Sequence, residues 1–353
     1  MEKVKIGLIG AGNIANTHME AYKGVKNAEV VAICDIDKGK AERLANKFGV
    51  KNFYGSVEEM IANEKLDAAD VCVWNVNHAK CAIYAMENGL HVICEKPMAY
   101  NAEEAAQMKA VSEKTGKHLM IAFVTRYADD TRVIKDFIEK DYLGEIYYAR
   151  AQYVRRHGNP GGWFGDKSRS GGGPVIDLGV HVLDRARFLM GLPKPVSVYA
   201  VSFEKLGKRS NLRTTVGWLP EGASKDDVCD VEDFASALIR FENGAAIQLE
   251  AGYSINDAPK SRLTLCGTKG GVRTSDGPLV LYTELNDFMV DTTIDTRNLE
   301  DSKGGFEAEL QEFVDCVLGK KTVTATAEDG FVCMQILDAI YESARTGHEV
   351  IIK

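Results

Sequence analysis

Three groups of residues in this chain have types and spacings that could do chemistry. Lys96 stands in Glu95-Lys96-Pro97, directly after an apolar run. A residue before proline avoids the helical region, so Lys96 should be extended or in a turn, with its ammonium aimed away from the strand. There it could stabilise a developing alkoxide or relay a proton. Taken alone, Lys96 is better read as a surface lysine in a strand-to-helix loop. The second group is Gly171-Gly-Gly-Pro-Val-Ile-Asp177-Leu-Gly-Val-His181, with Asp184 three residues on. A helix would stack Asp177 and His181 on one face, since they are four apart. A carboxylate that orients an imidazole makes a general base. An N-terminal Asp and a packed His on an ordinary helix explain the same spacing. The glycine run suits close approach of a flexible loop to a substrate.

The third group is Gly10-Ala-Gly12-Asn-Ile-Ala15, preceded by the apolar run Val4 to Ile9. This is the G-x-G-x-x-A pattern of a dinucleotide-binding turn. Gly10 would allow the tight turn, Gly12 would admit a pyrophosphate, and Ala15 would let the helix pack close. The N–H groups at the helix start, with Asn13 and Ile14 in its first turn, would hold the phosphates. A second strand ending at Asp35, about 20 residues on, supplies a carboxylate for both ribose hydroxyls. Asp35 would repel a 2′-phosphate and only Lys38 stands near it, which favours NAD over NADP.

These residues need a frame, and the first third of the chain supplies one. Strands at Val4–Ile9, Val30–Asp35, Asn52–Tyr54, Ala69–Trp74, His91–Cys94 and His118–Phe123 alternate with helical stretches at Ile14–Gly24, Lys38–Phe48, Ala79–Asn88 and Ala102–Thr115. Gly49, Gly89 and Gly116 read as helix stops, and Ser56 with Glu59 as a capping box. Continuous apolar strands separated by helices predict a parallel α/β sheet, a Rossmann domain over 1–123, with ligands at the carboxyl ends of its strands. Asp35, Asn75, Asn77, His78, Glu95 and Arg126 fall there. After a helix at Asp130–Glu139, residues 124–353 read as an α+β domain with a large, mostly antiparallel open sheet. Its strands are Glu145–Arg156, Val196–Phe203, Asp233–Phe241, Ala245–Tyr253, Arg262–Cys266 and Leu279–Tyr282. Late helices at Phe306–Leu318 and Ala327–Arg345 close it, and the last is expected to pack back on the first domain. The loop Leu206–Cys229 is long enough for a lid or an oligomer arm. An open sheet with helices on one face leaves the other for a second subunit, so a homodimer or homotetramer is expected.

Composition excludes other classes. The net charge of −8 argues against nucleic acid or an anionic membrane as main partner. No apolar run approaches the roughly 20 residues of a membrane helix, and Val4–Ile9 is too short for a signal sequence. The eight cysteines form no C-x-x-C, which favours a reducing cytoplasm and supports neither a disulfide framework nor a metal site. His18 reads as solvated or packing, His91 as structural, and Tyr153 and Tyr253 as sheet packing. Arg155, Arg156 and His157 end a strand before Trp163 and would border a substrate.

Together the glycine turn, Glu95-Lys96-Pro97 and the glycine run into Asp177-x-x-x-His181 resemble the Gfo/Idh/MocA family of NAD(P)-dependent oxidoreductases over nearly the whole chain. Asn77-His78 and Gly162-Trp163 also match family positions. The resemblance implies chemistry on sugars, inositols or related polyols, with Lys96, Asp177 and His181 as the catalytic set. It places Gly10, Gly12, Asn13, Ile14, Asp35, Asn75, Asn77, His78, Glu95, Lys96 and Arg126 around the cofactor. Arg156, His157 and Trp163 join the catalytic set around the substrate. Two departures stand out: Asn75-Val76 and Trp163-Phe164, where many members have Thr-Pro and Trp-Arg. Some relatives cleave glycosidic bonds through transient oxidation and others are inactive regulators. Retention of all three catalytic positions speaks against the latter.

Overall fold

The architecture is taken from a computed structural model, which describes residues 3–353 except 210, 211, 213–219, 221, 225, 275–277, 297, 298, 300 and 301. Part of the 206–229 loop therefore lies outside the described residues. The chain divides into two compact units, Met1–Val124 with Lys303–Met334, and Thr125–Ser302 with Gln335–Lys353.

The first unit alternates β1 (Val4–Ile9), α1 (Asn13–Tyr22), β2 (Ala28–Cys34), α2 (Lys38–Phe48), β3 (Asn52–Tyr54), α3 (Val57–Asn63), β4 (Ala68–Val71), α4 (Asn75–Glu87), β5 (His91–Glu95), α5 (Ala102–Thr115) and β6 (Leu119–Ala122). The six strands pair in the order β3-β2-β1-β4-β5-β6, all parallel. This is the doubly wound order, and it reverses between β1 and β4, where such sheets bind ligands. Burial explains the strands: Ile6, Leu8, Ile33, Ala68, Val71, Val92 and Ile93 are almost wholly covered, as a sheet clothed on both faces requires. The helix ends follow local chemistry. Ser56 accepts the Glu59 N–H at 3.0 Å, and Gly49 and Gly116 end α2 and α5 in the left-handed region. Several boundaries move by one to three residues, and one start moves by four: α4 begins at Asn75, not Ala79. Trp74 precedes it without a capping side chain, so nothing local marked the start.

The second unit contains α6 (Asp129–Glu139), β7 (Ile146–Val154), α7 (Lys167–Ser170), α8 (Val180–Leu189), β8 (Pro195–Phe203), β9 (Phe234–Phe241), β10 (Ala246–Gly252), β11 (Lys260–Gly267), β12 (Gly270–Arg273), β13 (Leu279–Leu285) and β14 (Phe288–Ile294). The helix α9 (Gly305–Val317) belongs to the first unit, α10 (Ala327–Thr346) follows it, and β15 (Val350–Ile351) ends the second. Nine strands form one sheet, β14-β13-β12-β11-β7-β10-β9-β8-β15. Only the β7–β10 pair among these neighbours is parallel. Packing of α8 against β7, β10 and β11 buries Leu183 and Ala186 with Ala149, Ala151, Leu249 and Leu263. No helix among the described residues is long and apolar enough to cross a membrane.

Candidate functional site

In the first unit the site is built on the β1–α1 turn. Gly10 has φ +102°, and a Cβ there would stand 2.3 Å from the Cys72 carbonyl oxygen, so only glycine fits. At Gly12 a Cβ would meet nothing within 4 Å, and no side chain caps α1. The open space over the first N–H groups of Asn13 and Ile14 is the cradle a pyrophosphate needs. Ala15 is fully buried beneath it. Asp35 follows β2 and faces this turn. Its Oδ2 accepts the Ala11 N–H and its Oδ1 the Asp37 N–H, both at 2.8 Å. A carboxylate has about four acceptor sites, so these bonds orient Asp35 and leave capacity for a ribose diol. Lys38, the next cation along the chain, lies with its ammonium 5.9 Å from the Phe53 ring centroid.

Asn75, Asn77 and His78 occupy the first turn of α4, and Asn75 and His78 are buried. His78 Nδ1 is 2.7 Å from the Pro97 carbonyl and Nε2 is 3.0 Å from that of Val73. Burial pulls its pKa below the usual imidazole value, against the two carbonyls, which pull it up. His78 thus ties α4 to the turn after β5. That turn carries Lys96, followed by a cis peptide bond to Pro97. Glu95, buried at the end of β5, accepts the Lys96 backbone N–H on Oε2 at 3.0 Å. His18 is not solvated: its ring is fully buried between Asp70 and Glu95.

In the second unit the residues before α8 do not form an ordinary helix. Val175–Gly179 is a π-helical turn, wider than the expected four-residue stack. It carries Asp177 into α8, whose second residue is His181. Gly179 makes the turn's approach to the sheet possible, since a Cβ there would lie 3.2 Å from that of Ala251. Asp177 Oδ2 accepts the hydroxyl of Tyr253 at 2.9 Å. Tyr253 is 1% exposed, and burial with the Asp177 charge pushes its pKa well above the usual phenol value, so it stays a donor. The Tyr153 ring centroid lies 6.4 Å from that of His181, and Arg155 donates to the Tyr153 hydroxyl at 3.2 Å.

The glycine run is packed tightly, not a flexible loop. A Cβ on Gly172 would stand 2.1 Å from the Tyr341 hydroxyl, and one on Gly173 2.8 Å from the Glu232 carbonyl oxygen. Buried Glu232 collects the N–H groups of Gly173 and Val175 at 3.1 Å and the Tyr341 hydroxyl at 2.9 Å. Burial raises its pKa against these donors. Arg126 also belongs to this unit. It is 5% exposed and forks onto Asp184, Nε to Oδ2 at 2.9 Å and NH2 to Oδ1 at 2.6 Å, with its guanidinium over Phe188. The Arg156 carbonyl accepts from Arg209, His157 is exposed, and Trp163 stacks on Phe164 at 4.1 Å in a 3₁₀ turn.

Sequence reading missed His18, Tyr253, Glu232 and Tyr341. His18 had a signal, since Ala15, His18, Met19 and Tyr22 share the buried helical face of α1. Asp70 had one too, as a lone charge inside an apolar strand. The others are 57 to 109 residues from their partners, beyond any local pattern.

A dinucleotide cradle on a doubly wound sheet, in a chain whose second sheet unit carries Asp177 and His181 in consecutive turns, is the layout of a nicotinamide-dependent oxidoreductase. The chain belongs to the GFO_IDH_MocA oxidoreductases: residues 4–123 match the family's NAD-binding Rossmann fold and residues 135–352 its C-terminal alpha/beta domain. It is 34% identical over 351 residues to the D-glucoside 3-dehydrogenase of Escherichia coli strain K12, covering 98% of this chain and 97% of that protein. It is 31% identical over 265 residues to the levoglucosan dehydrogenase of Pseudarthrobacter phenanthrenivorans, covering 71% and 68%. Among solved structures, levoglucosan dehydrogenase in complex with NADH and L-sorbose matches 100% of both chains with a TM-score of 0.85 and 26% identity. The chain is therefore an NAD-linked oxidoreductase.

Proposed function

We propose that this enzyme oxidises a secondary hydroxyl of an uncharged sugar, glycoside or cyclic polyol, reversibly. The observation that carries this reading is the Tyr253–Asp177 hydrogen bond at the turn that leads into His181. It holds a carboxylate where it can orient the imidazole and stabilise the imidazolium that forms. His181 takes the hydroxyl proton. Lys96 stabilises the oxygen as negative charge develops on it. Bound NAD supplies the hydride acceptor, and the cradle at Gly12 with Asp35 would hold it. Asp35 beside the turn favours NAD over NADP. Ile36, 83% exposed next to Asp35, offers an apolar platform for the adenine. Arg156, His157 and Trp163 face the sugar in this reading.

The nearly full-length similarity to a D-glucoside 3-dehydrogenase supports a glycoside as the first substrate to try, and similarity to levoglucosan dehydrogenase supports anhydrosugars. The net charge of −8 supports an unphosphorylated one. A panel of methyl glucosides, levoglucosan, free aldoses, myo-inositol and a sugar phosphate, followed by NADH absorbance, tests this. We expect turnover on one or more neutral members, and His181→Ala to lose about 100- to 10,000-fold in kcat with unchanged NAD affinity. Aglycone release without net NADH would identify a glycosidase or lyase that recycles its cofactor. No turnover on any member would overturn the reading.

Two coarser features accompany it. We place the enzyme in the cytoplasm, supported by eight free cysteines. A homodimer or homotetramer is supported by apolar side chains left exposed on the large sheet: Tyr199 and Leu238 face each other across β8 and β9, 49% and 45% exposed.

A further inference from the structure

His18 lies at the centre of a buried polar cluster that the chemistry above does not use. Its Nδ1 is 2.8 Å from Asp70 Oδ2, and its Nε2 is 3.1 Å from Glu95 Oε1. Asp70 also accepts the Tyr22 hydroxyl at 3.0 Å and the Cys72 thiol at 3.3 Å. Phe306 of α9 covers the ring at 5.7 Å. Glu309 of the same helix is fully buried, and neither of its oxygens has a hydrogen-bond partner among the described residues.

Proton counting constrains the cluster. Asp70 accepts from the Tyr22 hydroxyl and the Cys72 thiol, and Glu95 accepts the Lys96 N–H on its second oxygen, so each carboxylate already serves as an acceptor. An imidazole flanked by two acceptors satisfies both only when both its nitrogens carry protons. His18, Asp70 and Cys72 could in principle ligate a metal. However, the 2.8 Å between Nδ1 and Oδ2 is a hydrogen-bond separation, shorter than two tetrahedral ligands on bonds of about 2 Å would show.

We propose that His18 is a positioning residue for Lys96: as a doubly protonated imidazolium braced by Asp70, it holds Glu95 so that the other Glu95 oxygen fixes the Lys96 backbone. The chain of contacts is continuous. Asp70 of β4 sets the ring, Nε2 sets the Glu95 carboxylate, and that carboxylate sets the residue whose ammonium the reaction uses. His78 grips the same turn one residue further on, through Pro97. Burial alone would discharge His18, but Asp70 with Cys72 lifts its pKa well above the usual imidazole value. Among the described residues the ionisable groups around the ring are Tyr22 on its own helix, Asp70 and Cys72 on and after β4, Glu95 on β5 and Glu309 on α9. Glu309 is kept neutral by burial, with the Glu95 charge adding to the effect, so it leaves the imidazolium–carboxylate count unchanged.

The inference rests on the assignment of Lys96 above, and the experiment separates the two. His18→Gln places an amide nitrogen where Nε2 stands and keeps the link to Glu95. His18→Asn reaches only to the Nδ1 position and keeps the link to Asp70. We expect His18→Asn to lower kcat about 10- to 100-fold with the NAD Kd unchanged, and His18→Gln to recover most of it. Equal loss in both variants, or turnover in His18→Asn within twofold of the parent, would overturn the proposal. A second measurement stands beside these: nitrogen NMR of histidine-labelled enzyme with NAD at pH 8 should show, among the seven histidines, a ring with both nitrogens protonated that His18→Asn removes. Its absence would also overturn the proposal. Lys96→Ala tests the underlying reading. If it keeps turnover, the assignment of Lys96 fails; if it loses turnover while His18→Asn does not, only the role of His18 fails.

Discussion

Tyr253 shows how one hydroxyl can set the behaviour of a base it does not touch in sequence. It is wholly buried and donates to Asp177, the carboxylate we propose orients His181. Tyr253→Phe keeps the ring and its packing but removes the donor. We expect a loss of about 1.5–3 kcal/mol in stability, because the lost bond is to a charged group. We also expect about a tenfold fall in kcat, equivalent to ~1.4 kcal/mol, with the KM for NAD unchanged. Denaturant melts and steady-state kinetics check both. Residues such as Gly10, Gly12 and Asp35 were legible in the sequence because their relation is local: a turn, and a strand one crossover away. Tyr253 carried no such mark. Its partner is 76 residues upstream, and a tyrosine on an apolar strand looks the same whether or not its hydroxyl is engaged.

At the scale of elements, the glycine run before Asp177 works as a fitted joint. Gly172 gives way to the Tyr341 ring, and that tyrosine bonds Glu232, which in turn collects the N–H groups that start the π turn. Gly172→Ala must push Tyr341 aside. We expect about 1–3 kcal/mol of destabilisation from overpacking and a fall in kcat, because the turn bearing Asp177 loses its anchor; Tyr341→Phe should reproduce the fall in kcat without the clash. Thermal melts with kinetics on both variants decide it. Most elements were legible from period and caps, as the six strands of the first sheet and the Ser56 cap attest. The exceptions have physical reasons. The strand β12 is Gly-Gly-Val-Arg, with too few side chains to alternate, and β14 leaves Phe288 and Met289 exposed instead of buried. A π turn has no sequence period of its own.

For the whole molecule, two outcomes are expected. The exposed Tyr199–Leu238 pair lies on a broad sheet face, and Tyr199→Lys with Leu238→Lys should lower the oligomer mass seen by light scattering. A monomeric parent enzyme would refute the assembly. The second outcome concerns pH. Glu309 keeps its proton in the folded chain to a higher pH than the usual 4.5, so folding binds a proton. The stability this contributes is complete below about 4.5 and is lost as pH rises toward the raised value. Glu309→Gln carries no such dependence. Its Tm relative to the parent should therefore rise between pH 5 and pH 8; a constant difference would contradict the buried, neutral assignment.

The unit that holds the cofactor cradle is not continuous in sequence. Residues 3–124 build the parallel sheet, but Phe306 and Glu309, which cover the His18 ring and its neighbours, come from α9 near the end of the chain. A ribosome that has made the first third has thus made every strand of that sheet and none of this cover. The nascent domain must wait through roughly 180 further residues, about 10–40 s of synthesis at ordinary rates, with the His18 pocket open to water. Early termination between residue 124 and α9 would leave that pocket uncovered permanently, although every strand of the sheet had been made.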